Sequence, residues 1–158
     1  SLSRRQRQMC IRDSPKIANY KFTTINPNLG VAMYDNKEIT LADIPGLIEG
    51  AHTGVGLGIK FLKHVERCKT LLHLIDVSEE DLVNSYKQIR KELGEYSKEL
   101  LKKKEIIVVN KVDLLSQKEL KNKKMKFEEK LNKKVIQLST FDKKLISNLK
   151  IKLLKNVS

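Results

Sequence analysis

Asn110-Lys111-Val112-Asp113 stands directly after the apolar run Ile106-Ile107-Val108-Val109. Asn, Lys and Asp at this spacing suit one chemistry, recognition of a purine edge. Guanine presents a ring N1–H beside an exocyclic amine, and a carboxylate can accept both; adenine offers no matching pair. Asp113 is that acceptor, placed just beyond a strand end, where ligands sit in open α/β sheets. A site of this kind rejects the wrong base strongly, because a buried charge would be left unpaired. Asn110 would bond the base or brace the loop, and the aliphatic stem of Lys111 would cover the ring face.

Three further segments fall in an order that suits a nucleotide site. Asp43-Ile44-Pro45-Gly46 follows the strand-like Ile39-Thr40-Leu41-Ala42. An Asp at a strand end can hold Mg²⁺ through its water shell, and Gly46 would let the backbone approach a phosphate closely. Taken alone, Asp-x-x-Gly reads more simply as a turn. Phe22-Thr23-Thr24 lies upstream, where a Thr hydroxyl can ligate Mg²⁺ and its backbone N–H can reach a γ-phosphate. Taken alone, it reads as two ordinary surface threonines. Ser139-Thr140-Phe141 follows the last strand-like run, and its amides could meet the guanine O6. The series Gly54-Val55-Gly56-Leu57-Gly58 is not Gly-x-Gly-x-x-Gly, and it reads as a loop. His52, His64 and His73 do not cluster by spacing and read as packing or surface residues. No Gly-rich loop ending in Gly-Lys-Ser/Thr occurs in the chain.

The elements that must position these residues alternate. Leu29–Tyr34 and Glu38–Asp43 flank a hairpin turn. Ile59–Arg67 reads as a short helix. Thr70–Asp76 and Glu105–Val109 are nearly continuous apolar runs, as strands buried on both faces require. Glu80–Lys102 reads as one long amphipathic helix, with Leu82, Tyr86, Ile89, Leu93, Tyr96 and Leu100 at three- and four-residue steps. Ser116–Asn132 is a charged helix with Ser116 as N-cap, Val135–Leu138 a short strand, and Lys143–Lys155 a closing helix. This alternation predicts an α/β fold with a mostly parallel sheet and flanking helices.

Composition bounds the rest. One domain fits 158 residues. No stretch reaches the ~18 apolar residues of a membrane helix, and two cysteines, Cys10 and Cys68, make neither a metal-ligand spacing nor a disulfide framework. A cytoplasmic protein with no membrane partner is expected. The formal charge is +13. Residues 1–14 hold four arginines and no lysine, whereas 15–158 hold two arginines and 26 lysines. Residue usage therefore breaks near Ser14-Pro15, and 1–14 reads as foreign to the domain that spans 15–158. The alternative is a basic arm that binds nucleic acid. The lysine excess suits a solvated face or contact with RNA.

Pro15-Lys16-Ile17-Ala18-Asn19-Tyr20-Lys21-Phe22-Thr23-Thr24, then Pro27-Asn28-Leu29-Gly30-Val31, then Ala42-Asp43-Ile44-Pro45-Gly46-Leu47-Ile48-Glu49-Gly50-Ala51-His52 resemble the G domain of the Obg GTPases. The likeness covers 15–155 and is most specific over 15–76. It implies a P-loop GTPase-type sheet, GTP and GDP as substrate and product, Mg²⁺ as cofactor, and a monomer that acts on the large ribosomal subunit or its rRNA during assembly. Carried over by motif, the nucleotide segments are Phe22, Thr23, Thr24, Ile25 and Asn26; Asp43, Ile44, Pro45 and Gly46; Asn110, Lys111, Val112 and Asp113; and Ser139, Thr140 and Phe141. Thr24 is the Mg²⁺ ligand on this reading. Leu47 stands where many GTPases place a water-orienting glutamine, so transition-state stabilisation must come from elsewhere, and no catalytic residue is assigned. Where the family has its first strand, phosphate loop and first helix, this chain has fourteen unrelated residues. The expectation is an incomplete GTPase domain, inactive alone, with the backbone of two strands left open. The alternative is a non-catalytic, lysine-rich RNA- or ribosome-binding module with a degenerate nucleotide site.

Overall fold

The computed structural model describes residues 6–12, 29–44 and 66–157. Six strands form one sheet: β1 (Gln6–Arg12), β2 (Leu29–Tyr34), β3 (Lys37–Ile44), β4 (Thr70–Asp76), β5 (Lys104–Asn110) and β6 (Ile136–Gln137). Three helices flank it: α1 (Leu82–Tyr96), α2 (Gln117–Leu131) and α3 (Lys143–Val157). The strand order is β2-β3-β1-β4-β5-β6. β4, β5 and β6 run parallel, with Asp76 beside Asn110 at the carboxyl edge.

The apolar runs of β4 and β5 are buried on both faces. Leu72, Ile106 and Val108 point to one side, where they meet Leu149, Leu153 and Val157 of α3. Ile75, Ile107 and Val109 point to the other and meet Leu82 and Tyr86 of α1 and Phe127 of α2. Fully burying a Phe or Leu side chain contributes roughly 1.5–3 kcal/mol, so these two layers supply most of the driving force for the parallel half. The β2–β3 hairpin turns at Asp35 and Asn36, whose φ values of 50° and 58° are those a two-residue type I′ turn demands.

Two expectations are corrected. The helix expected over Glu80–Lys102 ends at Tyr96, because Ser97 is extended at φ −161°, ψ 125°. Leu100 keeps its place in the core from a short 3₁₀ turn, Leu100–Lys102. The gap expected in the middle of the sheet is closed. β1, drawn from the arginine-rich segment, lies between β3 and β4 and pairs with both. It runs antiparallel to each: Gln6 lies beside Ile75 and Ile11 beside Thr70. Its carboxyl end therefore points to the edge away from Asp76 and Asn110. A strand feeding a phosphate loop at the nucleotide edge would have to run parallel to β4. β1 satisfies the main-chain groups of its neighbours without being such a strand.

A polar cluster sits under the α1 layer. Glu105, 6% exposed, accepts from the Tyr86 hydroxyl at 2.7 Å and faces Nδ1 of the fully buried His73 at 3.2 Å. Nη1 of Arg90 lies 3.6 Å away, an ion pair too long for a hydrogen bond, while Nη2 donates to the Leu101 carbonyl at 2.9 Å. His73 stacks on Tyr86, whose ring meets Phe127 edge-on. Burial pushes the Glu105 carboxyl up, but its bonds to His73 and Tyr86 outweigh that and hold it below its ordinary range.

Candidate functional site

The carboxyl edge of β4 and β5 and the loop after β6 come together. Asn110 closes β5, and its carbonyl accepts from the Val77 amide at 3.0 Å. Its side-chain Oδ1 is buried with no hydrogen-bond partner among the described residues. A buried amide oxygen left this way costs roughly 1–3 kcal/mol. Lys111 then adopts the left-handed conformation, φ 63°, ψ 35°. For a non-glycine residue this costs about 1–2 kcal/mol. It turns the chain out of the strand into a short 3₁₀ turn, Val112–Leu114.

Asp113 lies in that turn with its side chain exposed. Its Oδ1 accepts from the Ser139 hydroxyl at 2.8 Å. Ser139 is buried, and its hydroxyl oxygen in turn accepts from the Phe141 amide at 3.3 Å. Backbone bonds bind the two loops further: Val112 N–H donates to the Leu138 carbonyl at 3.2 Å, and Leu138 N–H to the Val109 carbonyl at 2.8 Å. A carboxylate is thus held in place by a buried hydroxyl while its second oxygen faces solvent. Such a group can accept a donor pair from a ligand with little reorganisation. Phe141 is 87% exposed and Thr140 is exposed.

Sequence reasoning missed Asp76. Its Oδ2 accepts from Lys111 Nζ at 2.6 Å, and its Oδ1 accepts from the Ser78 amide at 2.9 Å and the Ser78 hydroxyl at 2.7 Å. Burial pushes the Asp76 carboxyl up; the bonds from Lys111 and Ser78 outweigh it and hold the group below its ordinary range. The signal was available: an acidic residue ending an apolar strand that pairs with the strand ending in Asn110.

Of the expected residues, the structure brings together Asn110, Lys111, Val112, Asp113, Ser139, Thr140 and Phe141. Asp43 lies half-buried near the carboxyl end of β3, followed by Ile44, the last residue of that strand. Pro45, Gly46 and the segment Phe22, Thr23, Thr24, Ile25 and Asn26 lie outside the described residues, as do His52 and His64. Asp113, held by Ser139, offers the kind of acceptor pair that a guanine N1–H and exocyclic amine require. Of the Mg²⁺ side only Asp43 is described.

A mixed α/β sheet whose three parallel strands are flanked by helices, with the Asn110–Asp113 loop at their carboxyl edge, is that of a partial P-loop GTPase fold. A family profile described as 50S ribosome-binding GTPase matches residues 6–111. The GTPase Obg of Pelagibacter ubique is 67% identical over 144 residues, which is 91% of this chain and 44% of that protein. The GTPase Obg of Ehrlichia chaffeensis is 54% identical over 133 residues, 84% of this chain and 39% of that protein. That of Rickettsia akari is 51% identical over 145 residues, 90% and 44% respectively. The chain belongs to the Obg family of GTPases. It spans less than half the length of these curated relatives. No described helix is long and apolar enough to cross a membrane.

Proposed function

We propose that this chain carries the base-binding half of a guanine-nucleotide site, and that the protein to which it belongs binds GTP and hydrolyses it to GDP and phosphate. The observation that supports this best is the Ser139–Asp113 hydrogen bond of 2.8 Å beside the unpartnered Oδ1 of Asn110. Asp113 would accept the guanine N1–H and exocyclic amine. Asn110 would bond the base or brace the loop, and the Lys111 stem would cover the ring. The amide of Thr140 would meet O6, while that of Phe141 holds the Ser139 hydroxyl.

Mg²⁺ supplies charge neutralisation on the β- and γ-phosphates in such sites. In this chain Asp43 and Thr24 would hold it, with Gly46 and the Phe22–Asn26 segment against the phosphates. Leu47 cannot orient water, so hydrolysis depends on a cation or partner outside these residues. The residues that would cradle the phosphates are absent from the sequence, and the one strand occupying their place runs the wrong way to deliver them. The 158-residue chain alone is therefore inactive in hydrolysis, with 1–14 as a segment foreign to the domain at 15–158. By resemblance, the whole protein acts in the cytoplasm on the large ribosomal subunit, where its lysine-rich surface suits rRNA.

Nuclear magnetic resonance titration of the full chain with guanosine tests the base site. Amides of 110–113 and 139–141 should shift saturably with guanosine and not with adenosine. Asp113→Asn should prefer xanthosine, whose C2 carbonyl accepts from the new amide, by about tenfold or more. Absence of any guanosine response refutes the reading. Micromolar GTP affinity by calorimetry would refute the missing cradle.

A further inference from the structure

The loop after β4 is clamped from three sides. Val77 N–H donates to the Asn110 carbonyl at 3.0 Å, and Glu79 N–H donates to the Asp76 carbonyl at 3.0 Å. Lys123, reaching across from α2, donates to the carbonyls of Val77 and Glu79, both at 2.9 Å. Ser78 closes the turn through two bonds to Asp76 Oδ1. The Asp76 carboxylate is consequently a fixed point, 9% exposed, at the carboxyl edge of the sheet. Its free oxygen holds one group, the ammonium of Lys111, at 2.6 Å.

Lys111 needs such a fixed point. Its backbone is already committed to the left-handed region, and its side chain is 43% exposed. A lysine in water samples many rotamers, worth about 2 kcal/mol of entropy. Fixing Nζ on Asp76 fixes both ends of the four-carbon stem. The stem then forms a wall beside the loop that carries Asp113.

We infer that Asp76 is a positioning residue of the nucleotide site, holding Lys111 by its ammonium so that the apolar stem is presented to the base. This rests on the guanine reading of Asn110–Asp113. Asp76 touches no ligand itself; it acts through Lys111. The ion pair orients the chain, and the methylenes make the contact. Charge at position 111 is then needed for orientation only when Asp76 is there to receive it.

The test is a double-variant cycle on the full chain, with guanosine as probe and chemical-shift titration as readout. Asp76→Asn should weaken guanosine binding about three- to tenfold, the range of coupling between contacting residues. Lys111→Met keeps a stem of similar length but loses the anchor on Asp76, so it should weaken guanosine binding by about the same three- to tenfold. In the Lys111→Met background, Asp76→Asn should have no further effect on affinity. Ser78→Ala breaks a bond to the same carboxylate without touching Lys111 and should leave affinity unchanged. Thermal midpoints separate this from loss of structure: Asp76→Asn keeps the side-chain oxygen that accepts from Ser78, so the midpoint should stay close to that of the matching background in both. Equal weakening of guanosine binding by Asp76→Asn in both backgrounds overturns the assignment and leaves a structural role. So does no weakening in either, with the base site intact. Failure of the unsubstituted chain to bind guanosine overturns the base site and this inference together.

Discussion

Removing the Glu105 carboxylate should cost more stability than any exposed charge on this surface. The side chain is 6% exposed and serves two buried partners, the Tyr86 hydroxyl at 2.7 Å and His73 Nδ1 at 3.2 Å. Arg90 stands at 3.6 Å with Nη1 making no hydrogen bond among the described residues. Glu105→Ala strands the hydroxyl and the ring nitrogen in a dry layer. Each stranded neutral group costs about 1–3 kcal/mol, and breaking a buried ion pair on one side costs about 3–5 kcal/mol. The two routes agree on roughly 4 kcal/mol. Glu105→Gln keeps the shape and one acceptor for Tyr86, so its loss is set by the missing charge, about 1–2 kcal/mol. The Glu99–Lys102 pair is the control. Its members are 67% and 71% exposed, and Glu99→Gln should leave the unfolding midpoint unchanged within error. Urea unfolding of the full chain, followed by far-ultraviolet circular dichroism, measures all three. For a domain with about 5–15 kcal/mol in total, the Gln variant keeps a full transition. A Glu105→Ala loss below about 1 kcal/mol, or equal losses for Ala and Gln, would show that the cluster is not held through this carboxylate.

Acid should act through the same group. The Glu105 folded pKa lies below its ordinary 4.5, so the unfolded chain binds the proton first. Its stabilisation is complete above about pH 5 and is lost as pH falls through the folded pKa; unfolding free energies measured down to pH 3 should fall less steeply in Glu105→Gln. Ser116 caps α2 in a reciprocal box with Glu119, and Ser116→Ala should cost about 1 kcal/mol by urea unfolding. Gly94→Ala in α1 gains up to about 1 kcal/mol of helix propensity. Its new Cβ would meet Leu101 Cδ1 at 2.8 Å, the movable end of a half-buried side chain, so the thermal midpoint should change little.

The parallel half of the fold was legible because β4 and β5 are too apolar to be anything but buried on both faces. The base loop was legible because its residue types are few and their spacing is fixed. What escaped has a common cause. Glu105 reads as the polar start of a strand, and its partners His73, Tyr86 and Arg90 lie 32, 19 and 15 positions away in the chain. No local pattern joins them. Asp76 escaped as a site residue for the same reason, since Lys111 is 35 positions on. The end of α1 was misread because Leu100 continues the helical spacing while Ser97 takes an extended backbone. β1 was not foreseen as a strand at all. Gln6-Arg7-Gln8-Met9-Cys10-Ile11-Arg12 has neither alternation nor apolar density; the demand it meets comes from the unpaired amides and carbonyls of β3 and β4.

That demand is indifferent to direction. To an arriving chain, the groove between β3 and β4 is a ladder of donors and acceptors that either polarity can satisfy. The domain is in this sense a host, and β1 is a guest admitted on main-chain grounds alone. A guest running the other way, with β4, would emerge at the edge where Asp76, Asn110 and Asp113 wait, and only that guest could bring phosphate-binding amides with it. In this chain the slot is filled by a strand antiparallel to both neighbours, so the sheet is closed while the edge that carries Asp76, Asn110 and Asp113 receives nothing from it.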